Sequence, residues 1–344
     1  MHILIDDKIP YIQGEAERLG TTTYKNGGSI TAEDVREADA LIIRTRTCCN
    51  RELLAGSKVQ FIATATIGFD HIDTRYLQEA GIEWTNCPGC NASSVGQYVA
   101  NSLLLLEEAG MISTHNCTVG IIGVGHVGTQ VETAVKRLGC RVLRYDPPRA
   151  AAEGNEGFAT MEDLLAEADV LTFHTPLTRN GAHPTYHMAD ESFFKQLTRQ
   201  PVLINSARGE VVCNTALKQA LQEGSIRAAV IDTWENEPAI DRELLDKVFL
   251  GTPHIAGYSA DGKACGTRMA LEAVARHFGM TDLTFDIQAP AFSKDNYYYA
   301  ADQGIRPTDS PLRLYNPQRD SENLKQHPEQ FEYLRGNYPL RREK

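Results

Sequence analysis

Gly123-Val124-Gly125-His126-Val127-Gly128 is the stretch on which the fold turns. It follows an apolar run at residues 118–122 and opens a helical pattern at residues 127–138, which Gly139 closes. Glycines at these positions permit a tight turn and let the backbone approach a pyrophosphate closely. The start of the following helix adds unpaired N–H groups and the positive end of its dipole. A bare G-x-G-x-x-G is a weak signal. Here it lies between two strand patterns, and Asp146 closes the second, residues 141–145, 18 positions after Gly128. A carboxylate at that spacing suits the ribose hydroxyls of an adenosine and repels a 2′-phosphate, so the expected cofactor is NAD.

Outward from this turn, strand patterns at residues 170–174, 202–206 and 228–232 alternate with helical ones at 161–168, 188–197 and 215–223. Five strands between about residues 112 and 253 are enough for a complete dinucleotide-binding fold. Before it, strands are expected at 3–5, 40–43 and 61–65, and helices at 14–19 and 74–80. A long helix at 94–110 links the halves, and another runs from 259 to about 279. Beyond residue 281 the composition shifts to Tyr297-Tyr298-Tyr299, prolines and mixed charge. The expected class is α/β: two doubly wound parallel-sheet, Rossmann-like domains plus a small C-terminal α+β segment. Residues 1–96 with 254–280 form a substrate-binding domain, 97–253 the NAD-binding domain, and 281–344 the third segment.

The chain has 344 residues, of which 42% are hydrophobic and 23% charged, values of an ordinary globular protein. Its formal net charge of -11 gives no broad positive field for nucleic acid or an anionic membrane. The longest apolar run, residues 102–106, is far short of the roughly 20 residues of a membrane span. Residues 1–7 lead straight into a strand pattern without the basic start of a signal peptide. A cytoplasmic location with all eight cysteines reduced is expected.

Three motifs fall at the ends of later strands, where open α/β sheets bind their ligands. They are Asn205-Ser206-Ala207-Arg208-Gly209-Glu210, Asp232-Thr233-Trp234-Glu235-Asn236-Glu237-Pro238 and Thr252-Pro253-His254-Ile255-Ala256-Gly257-Tyr258. An arginine just past a strand end can fork onto a carboxylate and polarise a neighbouring carbonyl. An isolated histidine is more often a satisfied core residue; His254 stands out because Arg208, Glu237 and the glycine turn accompany it.

With these motifs in order, the chain resembles the D-isomer-specific 2-hydroxyacid dehydrogenases. That family carries G-x-G-x-x-G with a downstream Asp, N-x-(S/A)-R-G, D-V-(F/W)-x-x-E-P and P-H-x-(A/G)-G. Thr233 stands where the family often has Val, and His174-Thr175-Pro176-Leu177-Thr178 is similar to its H-x-P-L-T. A branch of the family that oxidises 4-phosphoerythronate fits better still. The similar stretches are Ala65-Thr66-Ile67-Gly68-Phe69-Asp70-His71-Ile72-Asp73, the insertion at residues 178–185 and the closing segment at residues 331–343.

The resemblance implies oxidation of the 2-hydroxyl of a phosphorylated hydroxy acid by NAD. His254 is then the acid/base, Glu237 holds its far ring nitrogen, and Arg208 binds the 1-carboxylate and the developing oxyanion. The cofactor is expected to touch Gly123, Gly125, His126, Val127, Gly128, Asp146, Thr175, Ala207, Arg208, Asp232 and Gly257. Asp232 is expected near the nicotinamide carboxamide. Substrate binding falls to the amides of Thr66, Ile67 and Gly68 for the carboxylate, to Arg44, Thr45 and Arg46 for the phosphate, and to Tyr258. The alternatives are another D-2-hydroxy acid (3-phosphoglycerate, glycerate or lactate) or a nicotinamide-sensing corepressor of the same fold.

A homodimer is expected, since Tyr297–Tyr299, Leu312, Leu314, Tyr315, Phe331 and Leu334 otherwise look hard to bury. No metal site is expected. Cys87-Pro88-Gly89-Cys90 reads as a structural loop rather than a redox centre, and Cys48-Cys49 does not complete a metal site. Pro184 between His183 and His187 argues against a helical metal pair.

Overall fold

The computed structural model describes residues 1–294, 297–302 and 305–343, with the side chains of Tyr297, Ala300 and Asp302 outside that description. The chain divides into two compact units. Met1–Asn91 and Ser259–Ala291 form the first, and Ala92–Tyr258 with residues 292–343 the second.

The first unit is built on a five-stranded parallel sheet. Its strands are β1 (His2–Asp6), β2 (Thr21–Lys25), β3 (Ala40–Ile43), β4 (Phe61–Thr64) and β5 (Glu83–Thr85), in the spatial order β2-β1-β3-β4-β5. The inner strands are apolar runs because helices cover both faces of a parallel sheet. β3 and β4 are buried at every residue. The helix Ala260–His277 covers one face, burying Ala264, Ala270, Leu271 and Val274 against Ile3, Ile42 and Phe61. Phe285 and Ile287 join this cluster, and the Arg18 guanidinium donates to the Thr284 carbonyl at 2.9 Å.

The second unit holds a six-stranded parallel sheet of β6 (Thr118–Ile122), β7 (Arg141–Tyr145), β8 (Val170–Phe173), β9 (Val202–Asn205), β10 (Ala228–Ile231) and β11 (Leu250–Gly251). The order is β11-β10-β9-β8-β6-β7, so the winding direction switches between β6 and β8. Across that switch point the loops diverge and leave a crevice at the strands' C-terminal ends. The helix Ala92–Glu108 packs on the helix His126–Arg137 at close range. A Cβ on Gly96 would sit 3.1 Å from the Gln130 carbonyl oxygen.

The expected boundaries at 96/97 and 253/254 move to 91/92 and 258/259. Both shifts have one cause. Ser93 and Ser94 donate to the Glu343 carboxylate, and the Arg341 guanidinium donates to the carbonyls of Ser94, Ile255, Ala256 and Tyr258. The start of the long helix and residues 254–258 are thereby tied into the second unit.

The C-terminal stretch also departs from expectation. Residues 281–291 pack with the first unit and the rest with the second, rather than forming a third segment. Its regular elements among the described residues are helices: Tyr297–Asp302, Pro311–Leu314, Pro317–Gln326 and Phe331–Gly336, with no strand to make it α+β. Tyr298, Leu312, Tyr315, Leu324 and Phe331 are buried within the single chain. The argument that they need a second subunit to cover them therefore falls. Arg341 stacks on the Tyr315 ring and Arg313 on that of Tyr299, and Asp320 accepts hydrogen bonds from the Tyr298 and Tyr338 hydroxyls. Burial pushes the Asp320 carboxyl up to about 7, against the pull of those hydroxyls and of the Arg341 charge.

Candidate active site

Each glycine of the turn after β6 has its own reason. Gly123 has φ +88°, and a Cβ there would lie 2.9 Å from the His174 carbonyl. A Cβ on Gly128 would fall 2.0 Å from the Gly123 carbonyl oxygen, so only glycine lets the helix start this close to the strand. Gly125 caps the helix His126–Arg137, and a Cβ there would meet nothing within 4 Å. That side of the turn is open, and Gly125 and His126 are exposed with Val127 half-buried. The first helical amides have no intrahelical acceptor, which is the arrangement that receives a pyrophosphate.

Asp146 ends β7 with its carboxylate fixed by the Val124 amide at 2.8 Å and the Arg149 amide at 3.1 Å. Arg149 is turned onto Glu153, at 2.7 and 2.9 Å, and onto the Val124 carbonyl. Its guanidinium is thus engaged, and the ribose end of the site is governed by a carboxylate, which suits NAD. At the ends of β8 and β9, His174 Nδ1, Thr175 Oγ1 and Ser206 Oγ are buried without a partner among the described residues. Buried polar atoms normally find a partner. His174 and Thr175 follow the strand at the switch point and Ser206 the strand next to it, where a bound dinucleotide would supply a partner. The residues present therefore fit the cofactor.

The ends of β9, β10 and β11 assemble the chemistry. His254 Nδ1 lies 2.8 Å from Glu237 Oε2, and Glu237 Oε1 accepts the Trp234 amide at 2.9 Å. Burial pushes the Glu237 carboxyl up, but the His254 hydrogen bond and charge, the Trp234 amide and the Arg335 charge outweigh it and hold the group below its ordinary value. Glu237 is thus an ionised acceptor that fixes the imidazole and leaves Nε2 for a substrate. His254 itself sits at φ +56°, held by its amide's bonds to the carbonyls of Asp232 at 2.8 Å and Thr252 at 3.0 Å. A non-glycine residue held in that region is a local strain that the surroundings impose.

Arg208 is positioned from the next strand. The Asn205 side chain accepts the Ala207 amide at 3.1 Å and donates to the Arg208 carbonyl at 3.0 Å. A Cβ on Gly209 would lie 1.9 Å from the Trp234 carbonyl oxygen, so the arginine loop is pressed against the loop that carries Glu237. The Arg208 side chain is half-buried, and its guanidinium donates to the Ala207 carbonyl at 2.9 Å.

Asp232 holds the turn that carries His254. Its Oδ1 accepts the Thr252 hydroxyl at 2.7 Å and the Ile255 amide at 2.8 Å, and its Oδ2 accepts the Ala256 amide at 2.9 Å. It is buried beneath residues 252–256 and shapes the turn that presents His254 and the half-buried Gly257. Burial raises its carboxyl above the ordinary range, opposed by the His254 charge and these bonds.

In the first unit, Thr66-Ile67-Gly68 form the turn after β4. Thr66 Oγ1 donates to the Gly68 carbonyl at 3.0 Å, and the Asn86 amide donates to the Ile67 carbonyl at 2.7 Å. Arg44 is not a loose surface group. It makes a paired contact with the buried Asp6, at 3.0 and 3.1 Å, so its planar head is fixed. Thr45 and Arg46 beside it are exposed.

All eight cysteines are free thiols; Cys87 donates to the Gly266 carbonyl, and burial pushes its thiol up. His187 pairs with Glu235 at 2.6 Å, and Cys213 lies near both, a set spaced for a metal. Glu235 already spends its second oxygen on the Asn214 amide at 2.8 Å.

Four contributors escaped the sequence reading as site residues: Asn205, Thr252, Arg335 and Arg341. Asn205 lay inside a quoted motif, where a side chain two residues before a turn is a common clamp. Arg335 Nη1 stands 3.7 Å from Glu237 Oε2, brought there by the helix Phe331–Gly336.

Residues 100–256 match the model of the D-isomer specific 2-hydroxyacid dehydrogenase, NAD binding domain. The erythronate-4-phosphate dehydrogenase of Bacteroides thetaiotaomicron is 54% identical over 344 residues, covering 100% of this chain and 97% of that protein. The enzyme of the same name from Escherichia coli is 43% identical over 352 residues, covering 100% and 92%. The D-lactate dehydrogenase of Aquifex aeolicus, solved with NAD and lactic acid, superposes with a TM-score of 0.67 at 25% identity, over 82% of this chain and 96% of that one. A dinucleotide turn, a His–Glu pair and an arginine on consecutive strand ends, together with likeness along the whole chain, place this protein in the erythronate-4-phosphate dehydrogenase family, within the D-isomer specific 2-hydroxyacid dehydrogenases.

Proposed function

We propose that the chain oxidises the C2 hydroxyl of erythronate 4-phosphate to the 2-oxo acid, a step of pyridoxal 5′-phosphate biosynthesis, with NAD as the oxidant. The observation that carries this is the His254–Glu237 pair, 2.8 Å apart, set on the strand end next to the Arg208 loop. NAD, when bound, supplies the hydride acceptor. His254 Nε2 takes the hydroxyl proton as the C2 hydride departs, because Nδ1 is held by Glu237. The ionised Glu237 stabilises the imidazolium so formed. Arg208 binds the 1-carboxylate and steadies the oxygen that becomes the carbonyl.

The cofactor contacts are proposed at Gly123, Gly125, His126, Val127, Gly128, Asp146, Thr175, Ala207, Arg208 and Gly257, with Asp232 supporting from beneath. For the substrate, the first unit offers Thr66-Ile67-Gly68 amides to the carboxylate and Thr45 and Arg46, beside the fixed Arg44, to the phosphate. Tyr258 completes the set. The phosphate is what separates this substrate from lactate or glycerate, and bidentate arginine pairing gives short-range attraction that a net charge of -11 does not cancel.

NADH formation with erythronate 4-phosphate, 3-phosphoglycerate, glycerate and lactate, with a 2-oxo acid present to recycle held cofactor, tests the reading. A strong preference for erythronate 4-phosphate is expected. Preference for another acid keeps the chemistry and overturns the substrate. NAD binding without turnover of any acid overturns the enzyme in favour of a nicotinamide sensor.

No helix among the described residues is long and apolar enough to cross a membrane. A cytoplasmic location belongs to this reading. So does a homodimer. Light scattering at micromolar concentration is expected to give about twice the 38.0 kDa chain mass. A monomer at that concentration removes the dimer.

A further inference from the structure

We propose that Arg335 is a positioning residue of the reaction, sharing with His254 a single oxygen of Glu237 and thereby setting how readily His254 takes a proton. The inference rests on the dehydrogenase reading above. Glu237 Oε2 lies 2.8 Å from His254 Nδ1 and 3.7 Å from Arg335 Nη1. Both arginine and glutamate are largely shielded, with side chains 23% and 17% exposed. On the other side, Arg335 hydrogen-bonds Tyr258, which the reading places at the substrate. One guanidinium thus touches both the orienting carboxylate and a substrate-binding phenol.

The guanidinium charge is permanent, whereas the imidazolium exists only once the proton has arrived. A fixed cation on the shared oxygen keeps Glu237 ionised and opposes a second cation beside it. The shared oxygen leaves His254 Nε2 to accept the hydroxyl proton. The other charged groups around the pair divide by sign. Asp232 beneath and Glu332, 3.7 Å from Arg335 Nη1, favour the protonated imidazole. Arg208, on the adjacent strand end, opposes it together with Arg335. Glu332 acts mainly by drawing the Arg335 charge away from Glu237.

The test is the pH profile of kcat for erythronate 4-phosphate in wild type, Arg335→Gln, Arg335→Lys and Glu332→Gln, with thermal melts as a folding check. In Arg335→Gln the acidic limb is expected to move up by about 1 pH unit, with turnover on that limb down about tenfold. The alkaline plateau and the KM for NAD are expected to stay close to wild type. Arg335→Lys restores the limb, and Glu332→Gln moves it the opposite way, to lower pH.

A uniform fall in kcat without movement of the limb is a merely structural effect and overturns the proposal, as does a lysine variant that behaves like glutamine. If Arg335→Gln fails to fold, Glu332→Gln decides: a downward limb supports the proposal and an unmoved one removes it. A wild type that turns over while the Arg335→Gln limb stays put removes only the role of Arg335. A wild type inactive on erythronate 4-phosphate removes the dehydrogenase reading and this inference with it.

Discussion

Replacing His254 by alanine is expected to lower turnover of erythronate 4-phosphate by about 10²–10⁴-fold, the usual worth of a positioned acid/base. NAD affinity is expected to change little. The separation follows from the geometry. The imidazole faces Glu237 and the substrate side, while the cofactor turn is built from β6, β7 and β8. The backbone of residue 254 is held by the carbonyls of Asp232 and Thr252, contacts that survive loss of the side chain. Its φ of +56° disfavours alanine, so His254→Asn is the control, since asparagine tolerates that conformation better. Both variants are expected to be inactive and both to bind NADH with near wild-type affinity by fluorescence titration. Turnover within a few-fold of wild type in either one takes His254 out of the mechanism.

The parts of the molecule that were legible in the sequence share a physical character. Strands buried on both faces must be apolar throughout, and Ala40–Ile43 and Thr118–Ile122 fall where their patterns put them. The strands that went unread are β2, β5 and β11, and all three are edges of their sheets. An edge strand packs on one side only, so Thr21–Lys25 reads as polar, and Leu250–Gly251 is too short to show a period. The site divides in the same way. Arg208, Glu237 and His254 stand in local motifs at strand ends, and the structure brings Glu237 and His254 into direct contact. Asp232 stands in a legible motif, but its bonds to the turn beyond it do not show there. A sequence does not show that a carboxylate will be swallowed by a turn starting 20 residues later. Arg335 and Arg341 lie far along the chain from their partners, Arg341 by 83 residues from Tyr258 and 247 from Ser94, in a tail that reads only as mixed charge. Pairing across such distances carries no local pattern, which is why the C-terminal stretch looked like a separate body with apolar residues to hide.

Arg341 is where that misreading matters most, and its replacement by methionine is expected to cost about 3–5 kcal/mol in stability and most of the activity. The side chain is fully buried, so its charge is tolerable only because acceptors surround it. It donates to the carbonyls of Ile255, Ala256 and Tyr258 at 3.0, 2.6 and 2.8 Å, and to that of Ser94 at 3.2 Å. Gln97 Oε1 and the Tyr338 hydroxyl complete the set, and the Tyr315 ring lies 3.9 Å from the guanidinium carbon. Methionine fills much of the volume but leaves these acceptors buried without a donor, and unsatisfied carbonyls are expensive. Three of them belong to the residues that follow His254, so the loop that carries the base loses its floor. Asp232 holds the amides of the same loop from the other side, at Ile255 and Ala256. The turn is thus gripped by an anion on its N–H groups and a cation on its carbonyls. Arg341→Lys is expected to recover only part of the loss, because one ammonium has three donors and cannot span a flat array that a guanidinium fits. The check is urea unfolding followed by fluorescence, with kcat measured well below the unfolding midpoint. Activity lost in the folded variant identifies the loop as the casualty. A methionine variant within about 1 kcal/mol of wild type and with wild-type kcat would mean that the loop stands without its cation.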